Sequence, residues 1–513
     1  MKKLPLGIQD FATLIEGNHV YVDKTETIHR MVTEGKYYFL SRPRRFGKSL
    51  LVNTLRELYG GNQHLFEGLW IEDRWDWSRT NPVIHIPFAS IAYRETGLEA
   101  GLKARMEEIA KAYGLELQTQ ELSTTFRELT TTLAQRYGRV VLLIDEYDKP
   151  IIDYLGEDLD QALANQRTMK TFYSVVKDLD ASWELVFITG VSKFSKVSIF
   201  SDLNNLTDLT LHPAYGTLLG YTRAELITYF SDRITALAAA NSLTFDACMD
   251  KIQEWYNGYW WLGKERVYNP FGTLSLFSSN RFARYWFTTA TPSFLIGALK
   301  GQELYEIDQV EVGESTFESF AIGEQMNLIS LMFQTGYLTI LSEDPETQLF
   351  KLGYPNQEVK KAFTEHLMGA FSQTSHSLAA PLVVKISHAF NVQDLDTAMN
   401  LTGQMLSQLP YHLHSQTEKF YHAIIHLVYY YLGVFIESEV NTSRGRADAI
   451  VQTDTHVYCL EFKLDQSIDA ALQQIRDRRY LDRFKESGKE LIAVGINFST
   501  ELKGLEGWRA EAY

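Results

Sequence analysis

The stretch that decides the fold begins Tyr37-Tyr38-Phe39-Leu40 and continues Ser41-Arg42-Pro43-Arg44-Arg45-Phe46-Gly47-Lys48-Ser49. It ends Leu50-Leu51-Val52-Asn53-Thr54-Leu55. A short apolar run closed by polar residues predicts a buried strand, and the stretch after Ser49 reads as a helix. A strand, a loop ending in Gly-Lys-Ser and a helix together form the context of a phosphate-binding loop. There, backbone N–H groups and the helix N-terminus wrap the phosphates of ATP. In that reading Gly47, Lys48 and Ser49 bind the nucleotide: Lys48 reaches the β and γ oxygens and Ser49 holds Mg2+. Arg42 stands where the first glycine of G-x-x-x-x-G-K-S would be. On this loop alone, a helix start with no ligand is therefore the competing reading.

A second fragment supports the nucleotide reading. Arg139-Val140-Val141-Leu142-Leu143-Ile144-Asp145-Glu146 is an apolar strand ending in two carboxylates. Asp145 would join the Mg2+ shell and Glu146 would polarise the attacking water. A third strand, Leu185–Ile188, runs into Thr189-Gly190-Val191-Ser192, where Thr189 or Ser192 either reads the γ-phosphate or only caps the strand. With Val83–Pro87, these strands alternate with helical patterns up to about residue 212, which predicts an α/β domain with a mainly parallel sheet.

The 513 residues are too many for one core, and three parts are expected: 1–212, 213–409 and 410–513. The middle part reads as mostly helical. Its aromatic segments, among them Trp255-Tyr256-Asn257-Gly258-Tyr259, are either core or surfaces for base stacking. A net charge of -15 excludes non-specific coating of nucleic acid through the overall field, so any such contact needs a local basic patch. Two distant cysteines, Cys248 and Cys459, can build neither a disulfide framework nor a thiolate zinc site. The N-terminus lacks a signal-peptide pattern, and the most apolar stretch, 423–436, is too short to span a membrane. A cytoplasmic protein with no membrane partner is expected.

Asp10-Phe11, Tyr21-Val22-Asp23-Lys24-Thr25, the Arg-Pro-Arg-Arg-Phe-Gly-Lys-Ser loop and Leu143-Ile144-Asp145-Glu146-Tyr147-Asp148 together resemble the bacterial AAA-ATPase-like family. Thr189–Phe194, Trp255–Tyr259, Tyr268–Phe271 and Gln334–Leu338 also look like its recurring segments, so the resemblance covers nearly the whole chain. It implies a P-loop, AAA-like ATPase core, expected over 1–212, and a C-terminal PD-(D/E)XK nuclease domain, expected over 410–513; the part between is expected to be a helical lid and connector. Within that family Arg42 is an ordinary loop residue. Arg44 and Arg45 either stabilise the transferring phosphoryl group, in cis or from a neighbouring protomer of a homo-oligomer, or fold back onto Asp145 or Glu146.

The C-terminal part reads as a helix over 415–432, strands at 434–440, 446–452 and 456–463, a helix over 468–484 and a strand at 490–497. Such an order describes a compact α+β module. Asp454-Thr455 can form a two-residue turn. Pairing Thr453 with His456 and counting outward sets Asp448 opposite Glu461, with Lys463 on the same face as Glu461. Two carboxylates that close repel unless a cation lies between them, which points to Mg2+. The spacing resembles the Asp…Glu-x-Lys core of PD-(D/E)XK, or restriction-endonuclease-like, nucleases. By that resemblance Glu418 would complete the metal shell, and Gln474, with Tyr480 further along, would lie near the site; Glu439 is a second acidic candidate. The bland alternative is an exposed Glu–Lys ion pair. His422 and His426 either share the metal or are half-buried histidines. Arg476, Arg478, Arg479, Arg483 and Lys485 either track phosphates or form a solvated helix face.

The expected function is ATP hydrolysis coupled to Mg2+-dependent cleavage of nucleic acid, with DNA the expected substrate, in defence or mobile-element biology. The alternative is a nucleotide-operated switch, or a DNA- or protein-binding module, whose nuclease fold is inactive.

Overall fold

The structure is a computed structural model describing residues 2–155, 157–193, 203, 205–286, 309–317, 327–372, 376–407, 437–439, 448–499, 501–502 and 504–513. Contacts group the described residues up to Glu358 into one compact unit and those from Val359 into another. The stretch 213–409 therefore contributes to both.

The first unit is built on a five-stranded parallel sheet: β1 (Tyr37–Ser41), β2 (Val83–Pro87), β3 (Val140–Asp145), β4 (Trp183–Gly190) and β5 (Thr207–Asp208). Its order is β2-β3-β4-β1-β5. β1 and β3 are buried at every position, as sheets covered by helices on both faces require. β2 alternates between buried and half-buried, and it lies at an edge, where Pro87 costs no ladder bond on the open side. β4 lies between β1 and β3, so the carboxyl ends of three neighbouring strands converge on one crevice.

The rest of this unit is helical, with a three-stranded antiparallel sheet, β6 (Val310–Gly313), β7 (Thr339–Asp344) and β8 (Leu349–Gly353), in the order β6-β8-β7. Most rings of the aromatic segments are core: Tyr256, Tyr259 and Tyr268 are at most 1 % exposed and Trp261 is 4 % exposed, so these four cannot stack on bases, whereas Trp255 and Phe271 are half-buried. Thr222 and Glu225 form a capping box that starts the helix Arg223–Ala240, and Glu225 also pairs with Lys24 at 2.6 Å.

The second unit carries the helix Gln357–Ser372 from Val359 on, the helices His376–Asn391 and Leu395–Ser407 and a mixed sheet. Its strands are β9 (Glu437–Glu439), β10 (Ala449–Gln452), β11 (His456–Leu464), β12 (Glu490–Ser499) and β13 (Gly504–Ala512), in the order β13-β12-β11-β10-β9. β11 and β12 are parallel and the other pairs antiparallel. The helix Ile468–Arg478 makes the crossover between β11 and β12. It stops before the expected 484 because Arg479 adopts a left-handed conformation (φ 56°) and Tyr480 N–H reaches back to Ile475 O.

Candidate nucleotide and nuclease sites

The loop after β1 turns into the helix Lys48–Tyr59 through Gly47, whose φ of 93° suits glycine alone at no steric cost. Lys48 is 6 % exposed, and its ammonium donates to Arg42 O at 2.9 Å and Pro43 O at 3.0 Å. Burial lowers its pKa, while the charges of Asp145, Glu146 and Asp148 oppose that. The lysine thus rests on weak neutral acceptors that a phosphate would outcompete.

Asp145 ends β3 at 6 % exposure, and its Oδ1 has no hydrogen-bond partner among the described residues. Burial raises its pKa, and the Ser49 hydroxyl and Lys48 act against that. An orphaned buried carboxylate oxygen beside a serine hydroxyl fits a hard cation. Glu146 follows in a left-handed conformation (φ 53°) and, unlike Asp145, lines a cavity beside the loop. Thr189 and Ser192 are fully buried, with hydroxyl oxygens unpartnered among the described residues.

The cavity has a volume of about 440 Å3, within the range of small-ligand sites. At one end stand Arg44, Lys48, Ser49 and Glu146; Ile8, Leu219 and Phe271 give it an apolar wall. One polar end and one apolar wall match a nucleotide. The loop arginines do not fold back onto the acidic pair. Arg45, also left-handed (φ 67°), lies over the Phe271 ring at 4.9 Å, and among the described residues neither Arg44 nor Arg45 has a carboxylate partner. Arg42 is a structural residue, 1 % exposed, stacked on Trp261 at 4.2 Å and bonded to the carbonyls of Ser41 and Thr210.

Asp148, to which no motif assigns a role, is buried and lines this cavity. Its Oδ2 accepts from Val191 N at 3.0 Å and Ser192 N at 2.6 Å, tying the end of β3 to the end of β4. Its only signal was a second aspartate two residues beyond the Asp145–Glu146 pair.

In the second unit, β10 and β11 pair Ala449 with Leu460, so Asp448 stands opposite Glu461. Asp448 Oδ2 accepts from Phe462 N at 2.8 Å. Glu461 is 1 % exposed; its Oε1 accepts from Lys463 at 3.1 Å and from Gln474, while Oε2 has no partner among the described residues. Lys463 also donates to Gln474 Oε1 at 2.8 Å, and Gln474 Nε2 lies 3.3 Å from the Tyr480 hydroxyl. Burial, then the negative charge of Asp448, pushes the Glu461 carboxyl up from its ordinary range. A buried carboxylate facing another, with one free oxygen, fits a divalent cation held by Asp448 and Glu461. This is not an exposed surface pair.

Glu418, His422 and His426 lie outside the described residues; Glu439 belongs to β9, beside Ile450. The basic cluster is largely neutralised: Arg476 pairs with Glu511, and Arg479 and Lys485 pair with Asp482. No helix among the described residues is long and apolar enough to cross a membrane.

A predicted AAA-ATPase family matches residues 5–200, and the PD-(D/E)XK nuclease superfamily matches residues 416–508. A protein of Azotobacter chroococcum mcd 1, described as "Uncharacterized protein in vnfD 5'region", is 36% identical over 528 residues, covering 100% of this chain and 99% of its own. The chain belongs to the AAA-ATPase-like family with a C-terminal PD-(D/E)XK nuclease domain. The AAA-ATPase-like domain thus contains the Gly47–Ser49 loop and the Asp145–Glu146 pair. The nuclease domain contains Asp448, Glu461, Lys463 and Gln474, and its matched span also takes in Glu418.

Proposed function

We propose that this AAA-ATPase-like protein hydrolyses ATP at the Gly47–Ser49 loop and thereby controls Mg2+-dependent cleavage of nucleic acid, with DNA the substrate, at Asp448, Glu461 and Lys463. The parts are an ATPase core over 1–212, a lid and connector over 213–409 and a nuclease over 410–513. Lys48 holds the terminal phosphates, Ser49 and Asp145 hold Mg2+, and Glu146 orients the attacking water. Thr189 or Ser192, whose buried hydroxyls are unpartnered among the described residues, would respond to the γ-phosphate, and Arg44 and Arg45 would bring positive charge to it. Asp448 and Glu461 hold the second Mg2+, with Glu418 the further donor. Lys463, kept in place by Gln474, offsets charge on the scissile phosphate. Mg2+, when bound, would supply charge neutralisation at the first site and would make water more acidic at the second.

The observation that carries the nuclease reading is Glu461, a buried carboxylate with an unpartnered oxygen facing Asp448. Left without a cation, that arrangement is costly. Defence against invading DNA or mobile-element maintenance suits a nuclease under ATPase control, acting in the cytoplasm as a homo-oligomer. The test is incubation of the full chain with plasmid, single-stranded DNA and RNA at low ionic strength, with and without Mg2+ and ATP. Cleavage should require metal and disappear in Glu461→Ala and Lys463→Ala.

A second reading, a nucleotide-operated switch with an inactive nuclease fold, draws on the mutual bonds among Glu461, Lys463 and Gln474. DNA retention without cutting, with ATP turnover intact, would favour it.

A further inference from the structure

Three consecutive carbonyls of the phosphate loop are held from two sides. Lys48 donates to Arg42 O and Pro43 O, and the next carbonyl, Arg44 O, accepts from the Trp286 indole N–H at 2.9 Å. A nucleotide that draws the Lys48 ammonium onto its phosphates releases the first two carbonyls. Once they are released, the bond from Trp286 to Arg44 O bears the loop, so a shift of the loop pulls on that indole.

Trp286 is itself fixed. It is fully buried, and its own N–H and that of Tyr285 donate to one oxygen of Glu358, at 2.6 and 2.5 Å. Glu358 is 1 % exposed and forms no ion pair among the described residues. Burial pushes its carboxyl up to about 7 against the pull of those two amides, so it is kept there at a cost. It lies in the first turn of the helix Gln357–Ser372 and is the last residue of the ATPase unit.

The segment Gln334-Thr335-Gly336-Tyr337 gives independent support. Gly336 (φ 89°) leaves no room for a Cβ, which would stand 2.7 Å from Pro43 and 3.3 Å from Trp286. The Tyr337 ring meets Trp286 edge-on at 5.5 Å. Gln334 Oε1 accepts from Lys193 N at 2.8 Å, next to Ser192. One segment thus touches the phosphate loop and the end of β4 together.

We propose that Trp286, fixed by Glu358, is a positioning residue for the phosphate loop, and that nucleotide occupancy is registered through this pair at the first turn of the helix 357–372. The inference rests on the ATP-site reading above.

The test uses the full chain, titrated with a non-hydrolysable ATP analogue and Mg2+ and followed by calorimetry and amide hydrogen exchange. Trp286→Phe removes the N–H and keeps the ring packing. A neutral hydrogen bond changes an equilibrium constant by roughly two- to tenfold, so analogue affinity should fall by about fivefold. In the unsubstituted chain the analogue should slow exchange at residues 285–286 and 358–362. Trp286→Phe should abolish that response at 358–362, which a merely structural role would not do. Glu358→Ala should lose it as well, and Glu358→Gln, whose carboxamide oxygen can still accept, should recover part of it. These two variants also decide the matter if Trp286→Phe does not fold. Equal affinity and equal exchange responses in all chains would overturn the positioning role alone. No analogue binding by the unsubstituted chain would overturn the ATP-site reading, and the relay with it.

Discussion

Asp148→Ala should destabilise the ATPase unit far more than a typical single substitution. The carboxylate is 1 % exposed, and its Oδ2 is the acceptor for the Val191 and Ser192 amides. Truncation leaves both donors buried, at ~1–3 kcal/mol each, so a loss of roughly 2–6 kcal/mol is expected at about pH 4, where the buried carboxyl carries no charge. Asp148→Asn keeps an oxygen where both amides can reach it and should cost far less. The pair also has a pH signature. Burial pushes the Asp148 carboxyl from 3.8 up to about 6, so the folded state holds the proton more readily than the unfolded state. Wild-type stability should therefore fall as pH rises from about 4 to about 6, by roughly 3 kcal/mol, and Asn at this position lacks that dependence. Urea titration with hydrogen exchange read on the β4 amides reports this unit separately from the nuclease unit. An Asp148→Ala protein within 1 kcal/mol of wild type at about pH 4, or parallel pH profiles for wild type and Asp148→Asn, would refute the reasoning.

Glu146→Gln should bind ATP with near-normal affinity and turn it over at least about tenfold more slowly, checked by calorimetry beside phosphate release. Removing Mg2+ with a chelator should abolish both activities. Since burial and Asp448 hold the Glu461 proton, metal binding at the nuclease site should release protons, and metal affinity should strengthen as pH rises towards 8; titration in buffers of different ionisation enthalpy measures this, and a pH-independent affinity would contradict it. Gly258→Ala should lower stability by about 3 kcal/mol or more, because φ is +104° and the new Cβ would stand 1.8 Å from Pro355 O; thermal unfolding within a degree of wild type would exclude that account.

Parts of this architecture were legible because they obey local periods. The parallel strands read as short apolar runs, and the alternation of β11 with the Asp454-Thr455 turn allowed Asp448 to be counted onto Glu461. The turn closes as counted, with Thr453 N donating to His456 O at 2.9 Å. β13 escaped notice because its polar alternation, Glu506, Arg509 and Glu511, suits an edge strand and equally a tail. β5 has two residues, too few for any period. The strands β6, β7 and β8 lie in a region whose helical patterns dominate. The end of the helix at Arg478 was hidden because a left-handed arginine leaves no compositional mark. The link from Arg44 through Trp286 to Glu358 joins residues 242 and 72 positions apart, and such contacts have no local signature.

The most direct measurement of the central claim sets two activities of one chain against two substitutions. ATP turnover and Mg2+-dependent DNA cleavage are assayed in wild type, Lys48→Ala and Glu461→Ala at low salt. The account predicts that Lys48→Ala loses ATP turnover and the ATP dependence of cleavage, and that Glu461→Ala loses cleavage while still hydrolysing ATP. Metal-dependent cleavage that persists in Glu461→Ala, or ATP hydrolysis unchanged in Lys48→Ala, would contradict it.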